Sequence, residues 1–80
     1  MQLITESVFE TGAANSIYLS LKPEIGTPVT DRSSIELKVD DSHLYLTVKA
    51  DDLVSMRSTL NTWLRLIQVA YEVSVVTAGT

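Results

Sequence analysis

With 80 residues, no cysteine and a net charge of −4, the chain has room for one domain with a modest core. Disulfides and thiolate metal sites are excluded, and the acidic balance argues against a freestanding nucleic-acid binder, which usually carries a basic patch. No basic segment precedes an apolar run at the N-terminus, which argues against a signal peptide; the most apolar stretch, 63–76, is broken by Arg65 and Glu72 and is too short to span a bilayer. A soluble, cytoplasmic protein with no membrane association is the expectation.

Residues 2–10, QLITESVFE, favour an extended edge strand. The period then changes: Ala14, Ile17, Tyr18 and Leu21 recur at helical spacing behind Thr11, a candidate N-cap. Pro23 ends this helix, because the residue before a proline avoids helical angles. Residues 24–32, with Gly26, Pro28 and Asp31, read as a loop.

A hairpin follows. Ile35, Leu37 and Val39 alternate with polar residues, as do Leu44, Leu46 and Val48. A short turn at Asp41-Ser42 pairs Val39 with Leu44 and Leu37 with Leu46, which puts both apolar rows on one face. The opposite face, charged and hydroxylated, is expected to be wet. Asp51 or Asp52 caps a last helix that runs to about Val76, leaving 77–80 as a tail. Strand, helix, strand, strand, helix in one domain over 1–76 predicts a two-layer α+β fold. The third strand lies between the first two in an antiparallel sheet, and both helices cover its apolar face.

At ~100° per residue, Leu53, Met56, Leu60, Trp63, Leu64, Ile67 and Tyr71 share one face of the last helix and predict its core stripe. Ser55, Ser58, Thr62, Leu66, Val69 and Val73 fall nearly opposite. A polar line of Arg57, Asn61, Arg65, Gln68 and Glu72 runs along one flank. Leu66, Val69 and Val73 at three- and four-residue spacing form a contiguous patch, the usual mark of an interface. Twenty-five helical residues span ~37 Å at ~1.5 Å each, whereas an eight-residue strand covers ~27 Å, so the helix end overhangs its sheet. Arg57 and Arg65 suit contacts with phosphates or carboxylates, or a solvated flank whose stems cover apolar surface.

Little in the chain speaks for catalysis. His43 is the sole histidine and stands beside a turn. Asp40-Asp41 and Asp51-Asp52 read as turn and cap residues. There is no EF-hand spacing, phosphate-binding loop or nucleophile elbow, no serine or threonine has an evident base partner, and no cofactor is implied.

Residues 50–67, ADDLVSMRSTLNTWLRLI, closely resemble the motif of the small dimerisation subunit of the KEOPS complex, the polarised-growth chromatin-associated controller family related to the CTAG antigens. That motif is an Ala-Asp pair, then Leu-Arg-Ala-Ser-Leu-Asn, an aromatic residue and Leu-Arg. Here Ala50, Asp51, Arg57, Leu60, Asn61, Trp63, Leu64 and Arg65 match it; Met56 replaces the leucine and Ser58-Thr59 replace Ala-Ser. IYLSLKPE at 17–24 is similar to the end of the family's first helix, and Arg32 fits an arginine before its second strand. The resemblance implies the same strand-helix-strand-strand-helix order and a non-catalytic role. It implies a subunit that pairs with itself or with a diverged paralogue and docks one sugar-kinase-like ATPase subunit, the threonylcarbamoyl transferase, by helix packing. The assembly it implies makes threonylcarbamoyladenosine in tRNA, with tRNA touched indirectly or as a minor contact. Within that resemblance, the shortness of the chain, without an N-terminal extension, looks more like the archaeal than the animal members, and an archaeal-like subunit is the expectation. On this reading Ser58, Thr62, Leu66, Val69 and Val73 bind the partner, and Arg57, Asn61 and Arg65 supply polar contacts to partner or tRNA. The alternative is a small RNA-binding α+β module that uses Lys38, Lys49, Arg57 and Arg65.

Overall fold

In a computed structural model, which describes residues 2–78, the elements are β1 (Leu3–Glu10), α1 (Ala14–Leu21), a short 3-10 turn (Lys22–Gly26), β2 (Ser33–Val39), β3 (His43–Ala50) and α2 (Leu53–Ala78). The sheet order is β1-β3-β2, antiparallel throughout. The central position of β3, the α+β class and the antiparallel sheet are those the sequence predicts. So is the hairpin register: Val39 pairs with Leu44 and Leu37 with Leu46. Alternation fixes it, since a slip of one residue would turn Leu44, Leu46 and Val48 to solvent.

Three local features differ from expectation. Ala13, not Thr11, stands at the N-cap of α1, and the Thr11 hydroxyl accepts from the Ala13 amide at 3.1 Å. Pro23 stops α1 as expected, but residues 24–26, expected in the loop, lie with it in the 3-10 turn, where proline at the first positions loses no hydrogen bond. And α2 continues to Ala78, past the expected end at Val76; of the expected tail, Gly79 and Thr80 lie outside the described residues.

Both helices cover one side of the sheet. Leu37, Leu44, Leu46, Val48 and Ala50 meet Ala14, Ile17 and Leu21 of α1 and Met56, Trp63 and Ile67 of α2 in one buried cluster. Two hydroxyl contacts lie at its margin. Ser33 and Thr59 hydrogen-bond to each other between β2 and α2, and the Thr5 hydroxyl donates to the Met56 Sδ at 3.3 Å. Among the described residues no helix is long and apolar enough to cross a membrane.

Candidate helix interface

Only two residues separate β3 from α2, and the chain must reverse within them. Asp52 makes the start: its Oδ1 accepts the Ser55 amide at 2.7 Å, satisfying one of the amides a helix leaves unpaired. That hydrogen bond, before the Arg32 guanidinium 3.4 Å away, holds its carboxyl below the ordinary range. Asp52, rather than Asp51, is therefore the cap.

The stripe that α2 buries is rotated from the predicted one. Ser55, Met56, Thr59, Trp63 and Ile67 are buried, with Leu60, Leu64, Leu66 and Ala70 packed beside them. The predicted core residues Leu53 and Tyr71 are 53% and 45% exposed. Ser55, expected on the outer face, is inside, and Leu66, expected nearly opposite the core, packs against its margin. The shift is ~50° at ~100° per residue. The sheet's limits account for Leu53 and Tyr71. Ala50 is level with Leu3 and Ser33, the first residues of their strands, so no sheet lies beyond it to cover Leu53. Eighteen residues later the helix has risen ~27 Å, the length of an eight-residue strand, and Tyr71 reaches the far end. The Cα extents of 46 × 18 × 17 Å show the resulting overhang.

The outer surface of α2 consequently has two adjoining rows. Arg57, Asn61, Arg65, Gln68 and Glu72 occupy the outermost line, all exposed; Gln68 Nε2 donates to Glu72 Oε1 at 3.2 Å. Neither Arg57 nor Arg65 has an ion-pair partner among the described residues. Between this line and the buried stripe lie Ser58, Thr62, Val69 and Val73, with Leu66 at their inner margin. Val69 and Val73 are 53% and 59% exposed. The row thus has small hydroxyls along its first half, aliphatic residues along its second, with Val73 past the end of the sheet, and a polar flank. Val54, 76% exposed, was missed by sequence reasoning; its four-residue spacing to Ser58 was the available signal.

The cations of the RNA-binding alternative do not converge. Lys38 and Lys49 stand on the sheet face away from the helices, whereas Arg57 and Arg65 stand on the solvent side of α2. His43 lies at the hairpin end, stacked on Tyr45 and 3.3 Å from the Asp40 Oδ1. Among the described residues no acidic or histidine cluster is suited to a metal.

Fold and surface together define a small α+β domain that presents one long helix beyond its own sheet. Over residues 2–74 the chain matches the family model described as transcription factor Pcc1, and it belongs to that family. The family is that of a KEOPS-complex subunit, associated with tRNA processing and with protein partners. No curated protein matches the chain.

Proposed function

We propose that the protein is the non-catalytic dimerisation and scaffold subunit of a KEOPS assembly. In this reading it works in the cytoplasm and docks the sugar-kinase-like ATPase subunit for threonylcarbamoyladenosine synthesis in tRNA. The observation that carries the docking step is the exposed aliphatic row on the C-terminal half of α2. Val69 stands there without a covering element, within the residues that match the family. Water beside such a row is displaced when a partner helix lies along it, at roughly 25 cal/mol per Å² of apolar surface buried. Ser58 and Thr62 permit close approach over the first half, and Arg57, Asn61 and Arg65 form the polar rim that interfaces usually carry.

The experiment is titration calorimetry of the ATPase subunit against wild type and Val69→Glu. A charge at the centre of a desolvated contact typically costs ~2 kcal/mol or more, so binding should weaken at least ~30-fold by the usual conversion of ~1.4 kcal/mol per decade. Wild-type affinity in Val69→Glu would place the dock elsewhere.

A further inference from the structure

The cations of α2 are placed where the helix itself cannot neutralise them. Arg57 and Arg65 are exposed and have no ion-pair partner among the described residues. Three and four residues from each, on either side, stand only leucine, valine, asparagine, threonine and glutamine. A merely solvated flank gains stability from opposite charges at that spacing, and a chain with ten acidic side chains to six basic ones has the acids to supply them. Arg32 and Lys38 do find carboxylates, Asp52 at 3.4 Å and Glu36 at 3.2 Å. The row beside the two arginines is also poor in apolar surface, since Ser58 and Thr62 occupy the line that Val69 continues. A partner helix gripped by aliphatic contact at the C-terminal half of α2 has little apolar surface to hold it here.

We propose that Arg57 and Arg65 hold that half: the helix docked on α2 carries two carboxylates about two turns apart on one flank, and each arginine takes one. The proposal rests on the docking reading above and names the chemistry of its partner. Eight residues along α2 amount to ~12 Å, the reach of two carboxylates about eight residues apart on a helix laid alongside. The planar guanidinium fork meets a carboxylate with two parallel N–H···O bonds. Beside a docked helix the pair is partly removed from water, where the attraction grows. The phosphates of RNA fit this line less well. Glu72 stands on it, the whole chain carries −4, and a phosphate-binding surface gathers a patch or stripe of cations rather than two.

The test is titration calorimetry of the ATPase subunit against wild type, Arg57→Glu, Arg65→Glu and Val69→Glu, at ~0.1 M and ~1 M salt, where the Debye length is ~10 Å and ~3 Å. Circular-dichroism melting checks folding, and a gel shift with tRNA runs beside it. Both arginines are exposed, so their variants should fold. Each arginine reversal should weaken binding tenfold or more at the lower salt and by much less at the higher. Arginine variants that bind like wild type while Val69→Glu fails would overturn this proposal and leave the docking reading standing. Wild-type binding by all three variants would overturn both. An equal loss at both salts would trace the effect to packing of the arginine stems rather than to charge, and the proposal falls. It falls too if the arginine variants lose tRNA retention while binding the ATPase subunit unchanged, which would give the pair to phosphates.

Discussion

Asp40 holds the β2–β3 turn together. Its Oδ1 accepts the amides of Ser42 at 3.0 Å and His43 at 2.7 Å, and its Oδ2 accepts the Tyr45 hydroxyl at 2.7 Å. No residue in the turn has a positive φ, so the carboxylate supplies locally what glycine supplies in the mirror-image hairpin turns. The Tyr45 hydroxyl above all, then the Ser42 amide, lowers the Asp40 pKa from 3.8 to about 2. A folded-state value below the unfolded one gives stability that is complete above about pH 4 and is lost as pH falls through about 2. Tyr45→Phe should therefore shrink the acid limb of a Tm-against-pH curve within that window while leaving the neutral plateau less affected. A limb that superposes on wild type would remove Tyr45 from the account. The sequence made Asp40 legible as a turn residue, since aspartate bonds its own backbone two residues on. It gave no sign of the Tyr45 bond, which depends on where two side chains on neighbouring strands project. Nor does any local pattern mark the Ser33–Thr59 pair, whose members are 26 residues apart and meet only after the fold forms.

At the scale of elements, α2 carries both the core and the candidate interface, and its predictions separate the two. Asp52→Ala removes the side chain that caps the Ser55 amide and should lower Tm by a few degrees; Asp51→Ala should not, because among the described residues it is the Asp52 carboxylate that accepts a helix-start amide. Trp63 is 2% exposed, and Trp63→Ala should cost about 3–5 kcal/mol in a denaturant titration, enough to unfold much of a small domain. Leu64→Glu and Leu66→Glu should both destabilise, since both residues pack against the core. Val69→Glu, on the exposed row, should melt within a degree or two of wild type by the usual tolerance of surface sites. If Val69→Glu melts like Leu64→Glu, the exposed row has been assigned to the wrong side of the helix. Periodicity located α2, its overhang and most of its buried stripe. It misplaced Ser55, Leu66, Leu53 and Tyr71 because a helical wheel is ignorant of the sheet. Which residues are buried depends on the roll of the helix against β2 and β3 and on where those strands stop, and neither is written in the helix itself. Strand register was easier, because a period of two leaves one face apolar and a slip reverses it.

On the scale of the whole molecule, the candidate dock and the open face of the sheet lie on opposite sides. The outer rows of α2 face away from the sheet, and the open sheet face looks away from both helices, so the core cluster lies between them. The proposed scaffold role, joining copies and holding a partner at once, calls for two separate surfaces, since a single face could not do both. Separation also makes the contacts independent unless the fold itself transmits a change, and energetic effects of well-separated sites usually add. Native mass spectrometry of mixtures with the ATPase subunit checks this. Wild type should give two copies of each subunit in one assembly. Val69→Glu should give a dimer without bound ATPase subunit. Loss of the dimer together with the dock in Val69→Glu would show that docking and pairing share this surface. The partner would then touch both copies, and the outer face of one α2 would not be the whole of its site.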